Sequence, residues 1–427
     1  MQRVCCTILI LFSFGVLLLG AANPVRIMTY NLENYGGDGY NQKSEVSRNP
    51  HYRTVISEIN PDIIIAQEIY GAHDGDTRFM EDVLNYEGNI FAAAFIDQKT
   101  DNNSTDVWHD IGVFYKNQSF REVSKKEVEI AGGYIRDAIE VLLKYNETGD
   151  TIALYGLHLK AGRDETGERE SEARKLRQYL NNLNPNTPFI VAGDFNVYTS
   201  SEGAWQRLTE EQQDNDGRLY DPINRIGAWN NNSNFADVHT QSTRYSSGGL
   251  DDRFDMILVS NGIKEHYKIE YIPGTYTAFG NDGDHFNDSV NWQTNSSVSS
   301  AVADALYEAS DHLPVVANFD FTGVVAVENE NMLPGEFKLN QNYPNPFNPE
   351  TTIRYQISRP AQVSIQIFDV SGRLVKTLTN SSHVAGAYEV TWAGTNEFNQ
   401  KMGNGIYFYT LSTPQGIKIS KKMVLVK

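Results

Sequence analysis

The chain has 427 residues, more than one average domain needs, and its 40% hydrophobic and 11% aromatic content excludes a disordered polymer. Its net charge is −18; residues 336–427, with ten Lys/Arg and five Asp/Glu, carry +5, which leaves −23 on residues 1–335. An acidic first region repels phosphodiesters at long range unless metal ions or local cations invert the field, so net charge alone selects no substrate.

The N-terminus opens with Arg3, an apolar stretch over residues 8–19 and then Gly20-Ala21-Ala22. That pattern predicts a signal peptide over residues 1–22, cut after Ala22, and leaves no stable membrane span afterwards. Both cysteines, Cys5 and Cys6, fall inside it, so the mature protein has no thiol nucleophile and no zinc–thiolate site.

From Val25 onward, strand patterns alternate with helix patterns. Residues 25–32 read as a strand; Tyr52, Val55, Ile56 and Ile59 recur at helical spacing, and Asn60-Pro61 ends that helix. Ile63-Ile64-Ile65-Ala66 is a buried strand leading to Gln67-Glu68, and Phe79, Val83 and Leu84 suggest another helix. Residues 111–115, 135–145, 152–159, 189–192, 254–259 and 314–321 read as strands. Ala173, Leu176, Leu180 and Leu183 form one helix face; the Arg and Glu residues interleaved around them predict a solvated, ion-paired surface.

Residues 197–252 and 262–308 are long, polar and rich in Asn, Gly, Ser and Asp, which predicts functional loops. Within them, Asp214-Asn215-Asp216-Gly217 and Asn281-Asp282-Gly283-Asp284 are either plain turns or sites for a structural Ca²⁺ ion. Tyr271-Ile272-Pro273-Gly274-Thr275-Tyr276-Thr277-Ala278-Phe279 is a candidate membrane-contacting hairpin, or core packing.

Residues 323–335 read as a linker. Beyond it, short alternating segments separated by Ser371-Gly372, Ala385-Gly386 and Gly403-Asn404-Gly405 predict a small Ig-like β-sandwich over residues 336–427. This tail resembles the C-terminal sorting domain of the type IX secretion system, on Asn342-Tyr343-Pro344-Asn345-Pro346-Phe347-Asn348-Pro349, Ile367-Phe368-Asp369-Val370-Ser371-Gly372-Arg373 and Gly405-Ile406-Tyr407-Phe408-Tyr409. The resemblance implies export through that machinery to the cell surface or the medium.

Short polar strings stand at or beside the predicted strand ends of residues 24–322. They are Thr29-Tyr30-Asn31-Leu32-Glu33-Asn34, Gln67-Glu68, Gly156-Leu157-His158-Leu159-Lys160, Gly193-Asp194-Phe195-Asn196, Arg253-Phe254-Asp255 and Ser310-Asp311-His312-Leu313-Pro314. Acids, amides and imidazoles gathered at strand ends are the makings of a hydrolytic site. In this order they resemble the endonuclease/exonuclease/phosphatase (deoxyribonuclease-like) superfamily. The resemblance implies an α/β fold, a four-layered α/β sandwich with two packed mixed β-sheets, with the site at one edge.

The same residue types suit the roles the resemblance implies. Glu68, with Asn31 and Asp311, supplies hard oxygens for Mg²⁺ or Mn²⁺. Asp194 aligns and deprotonates the attacking water, or His312 does; that choice stays open. Asp255 orients His312 by the logic of a paired acid and imidazole. Asn196, His158 and Arg136 contact the phosphate, Arg136 through its planar guanidinium.

The expected function is a secreted, monomeric, metal-dependent phosphoesterase, foremost a nuclease cutting phosphodiester bonds of extracellular nucleic acid. The alternatives are a phosphomonoesterase, a sphingomyelinase-like lipid phosphodiesterase, and a non-catalytic surface binding protein on the same scaffold.

Overall fold

The computed structural model describes residues 24–37, 44–70, 74–96, 110–131, 136–184, 186–265, 268–321, 337–339, 342, 345, 347–357, 360–370, 372–384, 386–398, 400–414 and 417–426. The expected signal peptide over residues 1–22 and the expected linker over residues 323–335 therefore lie outside the described residues, as does most of the Asn/Pro string before Phe347. The chain divides into two compact units, Met1–Val325 and Ala326–Lys427.

The first unit is built on two sheets. In one, the strand order is Glu270–Tyr271, Val315–Asp320, Val25–Tyr35, Ile63–Ile69, Asp110–Lys116 and Phe91–Phe95, with Thr277–Ala278 also paired to Val315–Asp320. In the other it is Phe120–Val128, Ala138–Tyr145, Thr151–His158, Phe189–Asp194, Asp255–Ser260 and Leu219–Tyr220. Each sheet is mixed. Val25–Tyr35 runs parallel to Ile63–Ile69, Thr151–His158 runs parallel to Phe189–Asp194, and the flanking pairs are antiparallel.

The apolar runs explain the layering, because a strand apolar at every position is buried on both faces. Ile63 and Ile65 point between the sheets, where they meet Ile111, Ile139, Leu154, Ile190 and Ile257. Ile64 and Ala66 point outward, under helices Glu45–Ile59 and Ser300–Ala309. Val191, Met256 and Leu258 face the other way, under helices Thr166–Leu180 and Gly203–Thr209. Helix, sheet, sheet, helix makes the four layers. Gly156 lets the sheets close: a Cβ there would come within 2.6 Å of the Ile111 side chain.

The Glu45–Ile59 helix is capped by Ser44, whose side chain accepts from Ser47 N–H, and ends at left-handed Asn60. Several local readings differ from the sequence pattern. The helix expected around Phe79 runs as α over Gly75–Phe79 and as π over Met80–Leu84. The polar stretches are not all loop, since they hold Gly203–Thr209 and Ser300–Ala309. The arginines of Thr166–Leu180 are not all solvated. Arg169 is buried and donates to Glu202 (2.9 and 3.0 Å), and buried Arg177 donates to the carbonyls of Arg207, Leu208, Glu210 and Asp214. They cross-link the helix to the following loop because each guanidinium has five donors to place.

Both candidate calcium strings are turns with internal donors. Asn215 Oδ1 accepts from Gln212 N–H and Arg177, and Asp282 accepts from His285, Asp284 N–H and Ser296 N–H. The 271–279 segment is no exposed hairpin: its ends pair with Val315–Asp320, and Tyr276 accepts from Ile257 N–H. Among the described residues, no helix is long and apolar enough to cross a membrane.

The second unit is a β-sandwich by itself. A sheet of Lys338–Leu339, Thr351–Ile357 and Gly386–Trp392 and a sheet of Leu374–His383, Ala361–Asp369, Gly405–Ser412 and Lys418–Leu425 enclose Ile353, Ile365, Trp392, Tyr409 and Met423. All its strand pairs are antiparallel.

Candidate active site

The inter-sheet face is apolar along most of its length and turns polar at one end. Side chains two apart on a strand share a face, so the positions after Gly156, Ala192 and Ile257 on that face are His158, Asp194 and Asp255. Register puts these three side by side, because Asp194 is the partner of both His158 and Asp255. On the facing sheet, Asn31 pairs with Gln67, and Thr29 and Gln67 bond to one another as a polar layer beneath the site. Gly193 is required here. Its φ is +152°, and a Cβ would sit 1.9 Å from Leu157 O.

Asn31 joins the two sheets. Its Nδ2 donates to Glu68 Oε1 and to Asp194 Oδ2, each at 3.1 Å. Its Oδ1 accepts from Glu33 N–H at 3.0 Å. The amide thus turns its NH₂ toward the carboxylates and its oxygen toward the Glu33 backbone. Glu68 is further held by Asn34 N–H, at 3.1 Å from Oε2.

Five site residues are almost fully buried: Asn31 (0% exposed), His158 (2%), Asp194 (2%), Asp255 (1%) and His312 (3%). His158 Nε2 lies 3.4 Å from Asp194 Oδ2 and 3.9 Å from Glu68 Oε1, and Arg136 Nη1 lies 2.8 Å from the same nitrogen. Asp194 Oδ1 accepts from Asn196 N–H at 2.9 Å, while the Asn196 side chain donates to Leu159 O. His312 Nδ1 donates to Asp255 Oδ2 at 2.7 Å, and His312 Nε2 stands 3.9 Å from Asp194 Oδ2. Asp311 lies within electrostatic reach of His312, Glu33, Glu68 and Arg244. All nine residues singled out in the sequence therefore gather at one edge of the sandwich.

Electrostatics follow from this crowding. Burial, and then neighbouring carboxylates, raise Glu68, Asp194 and Asp311 above the usual carboxylate range, although His312 opposes the rise at all three. Burial works against a charge on His312, but the carboxylates of Asp255, Asp311 and Asp194 outweigh it and hold the imidazole well above its ordinary value. Burial lowers the Arg136 guanidinium.

Several members of the site had no readable signal. Gln241 Nε2 lies 2.9 Å from His312 Nε2. Asp252 pairs with Gln241 as an isolated bridge; burial, and next the charge of Asp251, push it up to about 7. Both lie in the polar 197–252 stretch, where no periodicity marks them. Glu33 stands two residues after Asn31, and its buried pairing with Arg244 reveals its role.

The donor set fits a hard divalent cation. Glu68, Asp194 and Asp311 offer carboxylate oxygens whose burial a cation relieves. Among the described residues, ligand atoms of Asp194, Asp255 and His312 lie within 4.8 Å of one another, and Asp255 Oδ1 has no hydrogen-bond partner. Asp255 Oδ2 is already spent on His312.

The family described as Endonuclease/Exonuclease/phosphatase family matches residues 28–312, and the FlgD Ig-like domain matches residues 346–416. No curated protein matches the chain. Solved structures are similar to this chain over the same region. The human Nocturnin catalytic domain with bound sulfate is 19% identical (70% of this chain and 95% of that one, TM-score 0.47). The mannosyl-6-phosphatase Bt3783 of Bacteroides thetaiotaomicron is 18% identical (69% and 99%, TM-score 0.48). D. rerio TDP2 complexed with single strand DNA product is 13% identical (69% and 98%, TM-score 0.46).

Proposed function

The chain belongs to the endonuclease/exonuclease/phosphatase family, an enzyme family of phosphoester hydrolysis, and on that premise we propose an exported, divalent-metal-dependent nuclease acting on phosphodiesters of extracellular nucleic acid. The observation that carries this reading is the Asn31 bridge, which brings Glu68 from one sheet and Asp194 from the other to a single amide.

Glu68 and Asp311 would hold Mg²⁺ or Mn²⁺, which polarises a phosphoryl oxygen and offsets charge gained in the transition state. Arg136 donates to His158 Nε2, and the pair would meet the phosphate from one side, the guanidinium with its remaining N–H groups. Asn196 adds the second hydrogen of its amide. Asp194 accepts the proton of the attacking water, its own orientation set by Asn196 N–H and Asn31 Nδ2. His312, kept with Nδ1–H toward Asp255, offers Nε2 to the phosphate or to that same proton. The two bases stand 3.9 Å apart, so either reaches one water.

A small soluble phosphoester is the second reading. It is favoured by the −23 carried on residues 1–335, a field that repels a polyanion. A lipid substrate has less support, because the 271–279 segment is paired into the sheet rather than projecting. Export rests on the sequence of residues 1–22 and on the tail over residues 336–427, which we read as an address for the type IX machinery, joined by the 323–335 linker. The catalytic domain over residues 24–322 acts as a monomer in this reading.

The deciding experiment is a panel of plasmid DNA, RNA, sphingomyelin and a soluble phosphomonoester, each with and without divalent ions. Metal-dependent nicking of DNA or RNA supports the nuclease. Turnover of the monoester alone moves the assignment to a phosphatase, and no turnover of any substrate removes the enzyme reading.

A further inference from the structure

Two buried arginines stand outside the row of residues that meets the phosphate, yet both are spent on the chain that follows Asn31. Arg244 donates with Nη1 to Glu33 Oε1 (2.7 Å) and with Nη2 to Glu33 Oε2 (2.9 Å). Arg48 Nη1 donates to Glu33 O (2.9 Å) and Leu32 O (3.2 Å), and lies 3.7 Å from Glu33 Oε2. All three side chains are buried. The same arginines reach the segment that leads to Asp311 and His312: Arg48 donates to Ala309 O and Arg244 Nε to Tyr307 O.

What they hold is an irregular stretch of backbone. The pairing of Val25–Tyr35 with Ile63–Ile69 shifts register between Asn31 and Tyr35. Glu33 (φ +47°) and Asn34 (φ +55°) lie in the left-handed region, and so does Glu68 (φ +58°) opposite them. Side chains other than glycine rarely adopt that conformation unless their surroundings impose it. The shift is what turns Asn34 N–H onto Glu68 Oε2 and leaves Asn31 Nδ2 on Oε1, so both carboxylate oxygens are oriented by the bulge.

We propose that Arg244, with Glu33 and Arg48, is a positioning residue of this enzyme: the buried ion pair holds the bulge that aims the Glu68 carboxylate at its cation. The proposal rests on the reading of Glu68 as a cation ligand. A buried ion pair adds little net stability over an apolar filling of the same volume, so its contribution here is geometry rather than stability. Groups that orient a metal ligand in this way typically change metal affinity by about 10–100-fold when removed.

The test uses the full chain, freed of metal, in three versions: wild type, Glu33→Gln and Arg244→Lys. Mn²⁺ binding is followed by electron paramagnetic resonance, with thermal melts and steady-state kinetics across Mn²⁺ concentration. We expect the Mn²⁺ dissociation constant to rise about 10–100-fold in both variants. We also expect kcat to recover most of its value at saturating Mn²⁺ and KM for substrate to stay put. A lowered melting temperature with an unchanged Mn²⁺ dissociation constant would overturn the proposal and leave the pair a purely structural one. If either variant does not fold, Arg48→Lys takes its place and is judged by the same constant. Wild-type protein that binds no Mn²⁺ removes the Glu68 reading itself, whereas wild-type binding with unaltered variants removes only this inference.

Discussion

His312 Nδ1 lies 2.7 Å from Asp255 Oδ2, although the two residues are 57 positions apart: Asp255 opens the Asp255–Ser260 strand of one sheet, and His312 lies just before the Val315–Asp320 strand of the other. Burial disfavours the imidazolium, and the carboxylates of Asp255, Asp311 and Asp194 together more than restore it. Asp255→Asn removes that support, and kcat/KM should fall by about 10²-fold or more. A raised histidine contributes stability that is full below about pH 6.5 and is lost as pH rises through the folded value. The gap in melting temperature between wild type and Asp255→Asn should therefore be widest in acid and narrow in alkali. A gap of one size across the whole range would count against the pairing.

Asp194 has the opposite sign. Burial raises its carboxyl, so ionising it costs stability that grows as pH climbs from about 4 through the folded value. Asp194→Asn should lower hydrolysis by about 10²–10⁴-fold while melting at the same temperature as wild type, or higher, at pH about 8. Turnover equal to wild type would dismiss the assigned site.

Removing divalent ions with EDTA should abolish hydrolysis, and Mg²⁺ or Mn²⁺ should restore it. Melting supplies an independent readout. At a hundredfold excess over the dissociation constant, bound metal adds about 2.7 kcal/mol to the folded state. Glu68→Gln should lose most of that gain; a melting temperature indifferent to metal in the wild type would argue against a cation at Glu68.

Asp252 is pushed up to about 7, by burial first and then by Asp251, and its Oδ1 has no hydrogen-bond partner among the described residues. Its ionisation therefore destabilises the fold progressively between pH about 4 and about 7. Asp252→Asn should match wild type in acid and melt higher at neutral pH and above, as a pH series of thermal melts would show. The reverse trend would mean that the carboxylate has a cationic partner.

The strands were legible because burial on both faces leaves an uninterrupted apolar run. Ile63-Ile64-Ile65-Ala66 and Phe189-Ile190-Val191-Ala192 are of that kind, and each delivers a carboxylate at its end. Phe120–Val128 was not legible, since only its two ends are buried and its middle reads as polar surface. The Ser300–Ala309 helix was hidden by the polar chain around it, although Val302, Ala303, Leu306 and Ala309 give it an apolar face. Arg169 and Arg177 misled in the other direction: charge alternating along a helix looks solvated until a second segment supplies carboxylate and carbonyl partners.

The sequence by itself laid out the apolar strands, the helix faces, the acids at strand ends and the separate tail, because these are local properties of the chain; the four-layer sandwich and the shared site of the nine residues were implied by the resemblance of those strings to a family. Only the tertiary structure decided how those residues face one another. It turned the Asn31 amide NH₂ toward Glu68 and Asp194, set Gln241 against His312, and seated Glu33 between Arg244 and Arg48. Each of these joins positions far apart in the chain, and the direction of a hydrogen bond between them depends on register and backbone conformation that no local pattern encodes.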